Sequence, residues 1–365
     1  MFRVLYLFSG KHRSTSLKSC LEELGPSFNI SVQVEEFDIE QNVSHDLAGE
    51  GLQNQLLQKL RSGLVDALVT TPPCSTFSRV RAANMKGPPP VRSRDHLWGF
   101  PWLFGQLKQD VMVGNSLVVF SVDMLEAAQE VQLSTNGVPI RTFMEHPEDL
   151  GGACREEDGA WFVPASIWQW DRLQRLVEAI EFANFTVVFH QCCWGAPWRK
   201  PTRILSNLPQ LRHWGFQGWP TFDEHFVYQG PLQVACSCVI SSTLAKKSNK
   251  EQFRTTGTSQ YPAAMDRALA MAFLETFLAD CNNLSSTVGD GKSSSQEKVI
   301  ITEKEEKAEK KEHEEEQERG IELQIPTTLK ASQGGSSRWG APRPLQAYYK
   351  GVHRGIHDGG GQVAS

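Results

Sequence analysis

The chain has 365 residues, 40% of them hydrophobic, with 37 basic against 42 acidic side chains and a net charge of −5. That length carries one or two domains with a large core. The acidic balance excludes a uniformly basic nucleic-acid-binding body, so any such contact has to come from a local basic patch.

From Lys292 onward the basic and acidic residues cancel, which leaves the whole acidic excess in residues 1–291. Eight cysteines without a regular framework fit a reducing compartment better than a disulfide scaffold. The apolar amino terminus is too short for a signal peptide, its charges follow the apolar run, and no stretch is expected to span a membrane. The expectation is an intracellular protein, nuclear or cytoplasmic, monomeric and without membrane association.

Residues 2–8 read as a first strand that ends at Phe8-Ser9-Gly10. After a polar turn, Leu17, Cys20, Leu21 and Leu24 recur at helical spacing, and Gly25-Pro26 closes that helix. A second strand over residues 30–37 runs into acid at Glu35, Glu36 and Asp38. Strand, glycine turn, helix, strand and carboxylate is the order in which doubly wound sheets hold a nucleoside; an ordinary βαβ unit has the same order. Leu52, Leu56, Leu57 and Leu60 then mark a helix over residues 51–64.

Residues 64–69 form an apolar run apart from Asp66, short enough for a buried parallel strand. The run breaks at Thr70-Thr71-Pro72-Pro73, and Cys74 follows at once. A thiol on a stiff turn at the carboxyl end of a strand is placed like a nucleophile, although most free cysteines are small buried hydrophobes. Next comes a long loop with Arg79, Arg81, Lys86, Arg92 and Arg94 before any acid, then Trp98, Phe100, Trp102 and Phe104. The clustering suggests a flap whose cations meet phosphates.

Residues 105–131 read as a long amphipathic helix, and residues 140–145 as a strand that stops at Glu145-His146-Pro147. A helix is expected over residues 166–184 with Ser166 as its cap, followed by a strand over 186–190 that runs into Gln191. Adjacent Cys192 and Cys193 read as packing. His225, Cys236 and Cys238 lack a fourth ligand at a standard spacing, so no metal is assigned. Tyr261-Pro262 opens a last helix to about residue 278. Beyond it the composition turns to Ser, Gly and Lys, then to Glu-to-Lys pairs four apart (Glu303–Lys307, Glu306–Lys310) with no apolar stripe, which predicts a disordered, charged tail.

Together, Leu7-Phe8-Ser9-Gly10, Pro72-Pro73-Cys74 with Phe77-Ser78, Glu145-His146-Pro147, Gln191 with Lys200-Pro201-Thr202, and Tyr261-Pro262 resemble the ordered motifs of the DNA (cytosine-5)-methyltransferases. The looser features look like divergent members from phages and mobile elements. The resemblance covers residues 1–281. It implies an α/β fold: a Rossmann-like S-adenosylmethionine-dependent methyltransferase sheet with helices on both faces and a small target-recognition insertion. It divides the chain into a catalytic core (1–205), a target-recognition region (206–258), a C-terminal helix returning to the core (259–282) and the tail (283–365).

By the same resemblance, Cys74 adds to carbon 6 of cytosine, which lets carbon 5 take a methyl group from S-adenosyl-L-methionine. Glu145 bonds ring nitrogen 3, for which it has to hold a proton at neutral pH. The base leaves its stack to reach them. Phe8, Ser9, Gly10 and Pro72 line the cofactor, Asp38 holds its ribose and Ile39 its purine, with Glu36 and Phe37 as an alternative register. Glu50 is a further candidate for the adenine amine. Arg79, Arg81, Gln191, Arg199, Lys200 and Thr202 contact the nucleic acid, which is DNA, with RNA as the alternative. The chain departs from the family pattern at the first turn, which has one glycine. It departs again at Ser75 in place of glutamine, at His146 in place of asparagine, and at Cys193 and Gly195 in place of two arginines, so that Arg199, Lys200 or Arg203 substitutes.

Overall fold

The structure is a computed structural model. It describes residues 1–83, 88–135, 139–154, 159, 161–179, 183–233 and 260–289. The chain divides into two units, Met1–Gly291 and Lys292–Ser365, and the second lies outside the described residues, as do Cys236 and Cys238. The tail expected from residue 283 begins later, because the last helix, Ala263–Gly289, continues through residues 283–289.

In chain order the strands are β1 (Phe2–Leu7), β2 (Val32–Phe37), β3 (Ala67–Thr70), β4 (Arg141–Pro147), β5 (Ala153–Cys154), β6 (Trp161–Phe162), β7 (Phe185–His190), β8 (Pro201–Ser206), β9 (Phe216–Gln217), β10 (Thr221–Phe222) and β11 (Tyr228–Gly230). The helices are α1 (Leu17–Leu24), α2 (Glu50–Arg61), α3 (Val80–Ala83), α4 (Gly105–Thr135), α5 (Asp171–Glu178) and α6 (Ala263–Gly289).

Seven strands form one mixed sheet in the order β2-β1-β3-β4-β8-β7-β9. The first three pairings, up to β4, are parallel, and β8, β7 and β9 continue as antiparallel neighbours. Side chains alternate across the sheet, as strand pleating requires. Phe2, Val4 and Tyr6 face one core with α1 and α6, while Leu5 and Leu7 face the other with α2, α4 and α5. Both faces of the parallel part are covered, which is why its strands are nearly continuous apolar runs. This is the mixed α/β architecture expected from the strand–helix alternation.

Several boundaries differ from the sequence reading. The helix expected over residues 166–184 is broken: Ser166 caps a single 3-10 turn, Ile167–Gln169, and α5 begins only at Asp171. Trp170, in an extended conformation, separates the two. Asp66 stands before β3 rather than inside it, because it accepts bonds from the backbone N–H and guanidinium of Arg3. Strand β8 had no sequence signal; it inserts between β4 and β7 and carries Thr202, Arg203 and Ile204 into the interior. Against expectation, one stretch is long and apolar enough to cross a membrane: Gly105–Leu133 of α4, with a mean hydropathy of 1.5. More than half of that window, 56%, is buried inside the protein, as suits a core helix packed on α2 and α5.

The interior of the antiparallel half is organised by an ion pair with no solvent exposure on either side chain, Arg203 with Glu148. Arg203 donates from Nε to Glu148 Oε2 at 2.6 Å and from Nη2 to Oε1 at 2.9 Å. Its Nη1 donates to Thr186 Oγ1 at 2.8 Å and to the Gly218 carbonyl at 2.6 Å. Arg203→Met leaves the carboxylate buried without its partner, so a loss of about 3–5 kcal/mol is expected. Pairing it with Glu148→Gln should recover part of that loss in a urea denaturation series. A single variant as stable as the parent would show that the pair does not hold this half of the sheet.

Candidate active site

Strand β3 is fully buried and ends at Thr70, whose hydroxyl bonds Ser121 of α4 at 2.8 Å. Thr71 donates its hydroxyl to the Phe8 carbonyl at 2.8 Å, which pins the chain leaving β3 to the chain leaving β1. Pro72 and Pro73 stiffen the exit, and the Phe77 N–H closes a turn on the Cys74 carbonyl at 3.0 Å. Cys74 is half-buried at the carboxyl edge of the parallel strands. Burial pushes its thiol up in pKa; the Lys200 ammonium acts against that shift and the Glu145 carboxylate with it.

Glu145 lies near the end of the adjacent strand β4 and is 5% exposed. The Tyr261 hydroxyl donates to its Oε2 at 3.1 Å. Lys200 Nζ stands 3.3 Å from Oε1 as an ion pair. Oε1 accepts no hydrogen bond among the described residues. The structure therefore brings together three side chains from sites far apart in sequence, Glu145, Lys200 and Tyr261, and sets Cys74 on the turn that leaves the neighbouring strand β3. In the sequence Tyr261 was legible as the start of a helix and as part of the last motif of the resemblance, with no role at Glu145. Burial, then the charges of Glu145, Tyr6 and Asp266, raise its pKa well above the usual phenol value, so it stays a donor. Behind it Arg13 bonds the Tyr261 carbonyl at 3.1 Å and Asp266 Oδ2 at 3.0 Å. Arg13 and Asp266 had no sequence signal for such a role.

On the other side of β4, His146 is 1% exposed, and both its ring nitrogens lack a partner among the described residues. Burial, with Lys200 and Arg92 nearby, pushes its pKa down to about 3, so the ring is neutral. It packs edge-on against Phe77 and Trp168. The β7–β8 hairpin sets Gln191 opposite Lys200, with the Gln191 N–H on the Lys200 carbonyl at 3.0 Å. The Gln191 amide is wholly buried, and neither of its polar atoms has a partner among the described residues. Thr202, expected on the nucleic acid, is buried within β8 between Pro147 and Phe189. Arg199 is exposed beside Lys200.

The turn after β1 is open around Gly10. Phe8 and Gly10 both have positive φ, 61° and 70°, and a side chain added at Gly10 would meet no atom within 4 Å. Asp38 stands at the end of β2, and Ile39 beside it is 55% exposed. Asp38 Oδ2 already accepts the Gly10 N–H at 2.8 Å, and Gln41 donates to Ser9 Oγ and to the Gly10 carbonyl. Pro72 is buried behind this turn. Glu50 is exposed in the first turn of α2, and among the described residues no hydrogen bond links it to Phe8, Ser9 or Gly10.

The arginines expected to reach for phosphates meet other parts of the chain. Arg79 donates to the carbonyls of Leu150 and Gly152. Arg81 donates to the carbonyls of Ser75 and Pro89. Arg92 is 3% exposed, lies 3.7 Å over the Phe77 ring and bonds Thr76 Oγ1, Asn115 Oδ1 and the Leu97 carbonyl. Arg94 lies over the rings of Phe222 and Phe226. Carbonyl oxygens of irregular backbone need donors when buried, and guanidinium groups supply several at once. Lys86 lies outside the described residues.

No protein-family model and no curated protein sequence matches the chain. Solved structures of two methyltransferases are among those that align with it. The S. pombe Dnmt2 methyltransferase does so with a TM-score of 0.27 and 12% identity, over 56% of this chain and 50% of that one. The Entamoeba histolytica methyltransferase EhMeth does so with a TM-score of 0.29 and 12% identity, over 56% and 52%. The chain therefore spans about half the length of either.

Asp266 supplies a pH test of the bracket behind Tyr261. Burial, opposed by Arg13, holds its carboxyl up to about 7 from 3.8. The folded state thus keeps this proton longer than the unfolded chain does. Its contribution to stability is full below about 4 and is lost as pH rises to about 7. The fall in melting temperature over that window should be shallower in Asp266→Asn than in the parent; parallel curves would show that the carboxyl titrates normally.

Proposed function

We propose that the chain is an S-adenosylmethionine-dependent methyltransferase that modifies carbon 5 of cytosine in DNA. The observation that carries this reading is the meeting of Cys74, Glu145 and Lys200 at one strand edge, next to an open glycine turn and a carboxylate. When bound, S-adenosylmethionine supplies the electrophilic methyl group. Phe8, Ser9 and Gly10 would hold it on the open side of their turn, with Asp38 at its ribose and Ile39 against its purine.

The chain's own residues do the rest. Cys74 Sγ adds to carbon 6 of the base, and the ring then behaves as an enamine whose carbon 5 is nucleophilic. Glu145 faces ring nitrogen 3, with Tyr261 fixing one of its oxygens and leaving Oε1 for the base. Lys200 offsets negative charge at the thiol and the carboxyl. Gln191 presents an unsatisfied amide beside Lys200. Arg199 is the exposed cation nearest this edge in sequence, so phosphate contact is assigned there rather than to Arg79 or Arg81.

A second reading, a nucleic-acid-binding protein without turnover, is favoured by the bonds that Asp38 and Gln41 already make to the first turn. One experiment separates the two. The protein is incubated with S-adenosylmethionine and DNA containing 5-fluorocytosine, which blocks release of the adduct. A denaturation-resistant complex is expected with the parent protein and none with Cys74→Ser. A complex formed on fluorocytosine RNA alone would move the substrate to RNA. Tight binding to DNA with no adduct on either polymer would establish the second reading.

A further inference from the structure

Arg13 lies on the polar turn between β1 and α1, three residues past Gly10. Its own carbonyl is fixed at the start of α1, where it accepts the Ser16 N–H at 3.1 Å and the Ser19 hydroxyl at 2.9 Å. From there its guanidinium reaches a residue 248 positions later: Nη1 donates to the Tyr261 carbonyl at 3.1 Å. Nη2 donates to Asp266 Oδ2 at 3.0 Å, and the Asp266 side chain is 1% exposed. One side chain thus joins the backbone ahead of α6 to the first turn of that helix, and ties both to the turn after β1.

The far end of Tyr261 meets the site. Its hydroxyl donates to Glu145 Oε2 at 3.1 Å, and its ring stands edge-on to Phe143 of β4 at 6.5 Å. The ring contact restrains the tilt of the phenol, and the Arg13 bond restrains the backbone from which the phenol extends. The last torsion of a glutamate is broad, so a carboxyl turns about it with little resistance. Lys200 holds Oε1 as a compact point charge, which does not fix the plane of the carboxyl. The Tyr261 hydroxyl does, and so sets where Oε1 faces. That oxygen accepts no hydrogen bond among the described residues.

We propose that Arg13 is a positioning residue for Glu145: acting through Tyr261, it aims the carboxyl at the base. This rests on Glu145 holding the base, as named above. The place of Arg13 in the chain suggests a different duty, because a basic residue so close to Gly10 reads as a cofactor contact. Its guanidinium is instead engaged with the segment that aims Glu145. A change at Arg13 therefore acts on turnover and leaves cofactor affinity alone.

The first test needs neither cofactor nor nucleic acid. Full-length protein is labelled with 13C at the glutamate side-chain carboxyls, and the Glu145 signal is identified by its loss in Glu145→Gln. Tyr261→Phe removes the hydroxyl and should shift that signal. Arg13→Met should shift it in the same direction, and Arg13→Lys should return it toward the parent position. The double variant Arg13→Met/Tyr261→Phe should stand where Tyr261→Phe does, since two residues acting in series do not add. Arg141→Met is the control. Arg141 bonds Asp280 farther along α6, Nε to Oδ2 at 2.8 Å, so its loss loosens the same helix away from Tyr261 and should leave the signal in place. If Arg13→Met does not fold, Arg13→Met/Asp266→Asn takes its place, because it leaves no buried carboxylate without its cation. A Glu145 signal unmoved by the loss of Arg13, or moved equally by Arg141→Met, overturns the proposal.

The second test is turnover on duplex DNA with S-adenosylmethionine. Arg13→Met should lower kcat about tenfold to a hundredfold with the KM for the cofactor unchanged, the cost of a small misplacement at the reacting centre. A raised KM with kcat intact would put Arg13 on the cofactor and overturn the proposal. No turnover in the parent protein would sink the reaction alone, and the carboxyl signal would still decide the role of Arg13.

Discussion

A carboxylate at 5% exposure needs partners, and Glu145 draws them from both ends of the second half of the chain. Lys200 comes from the entry to β8 and Tyr261 from the entry to α6. To bring Lys200 there, β8 runs back between β4 and β7, antiparallel to both. To bring Tyr261 there, α6 crosses to the face that α1 already occupies and packs its Phe273 and Phe277 against Phe2. An unpartnered charge in that position would cost several kcal/mol. The return of the last helix and the insertion of β8 are two solutions to one electrostatic requirement.

The same economy of donors explains the arginine-rich loop. A segment with little regular structure leaves carbonyl groups unpaired wherever it is covered. Arg79 and Arg92 donate to carbonyls there, and two arginines act on the turn that carries Cys74: Arg81 on the exposed Ser75 carbonyl and Arg92 on Thr76 and Phe77. Arg92 carries its charge in the interior with no acidic partner among the described residues. That keeps the rear of the turn electropositive.

Much of the site's placement was legible. Strands that stop shortly before Gly10 and Cys74, and the strand that carries Glu145 near its end, announced themselves because apolar runs that stop at Gly or Pro mark the carboxyl edge of a parallel sheet. Asp38 at the end of β2 followed by the same logic. The functions of individual cations were not legible, since a guanidinium that reaches for phosphate and one that caps a carbonyl have the same sequence signature. Nor was β8, whose Lys-Pro-Thr-Arg start reads as a polar loop until Arg203 meets Glu148.

By itself, the order of residues determined the alternation of strand and helix, the sheet edge where chemistry is possible, and the two acids placed on it. Those follow from local periodicity and from backbone breaks, which depend only on near neighbours. The tertiary structure alone decided that Lys200 and Tyr261 share the Glu145 carboxylate, that Arg13 and Asp266 brace Tyr261, and that Arg79, Arg81 and Arg92 donate to carbonyls of the chain. Each of these joins residues more than fifty positions apart, or depends on which carbonyls the fold leaves without a donor. Such pairings are set by which strand lies beside which and by the dielectric that burial creates there.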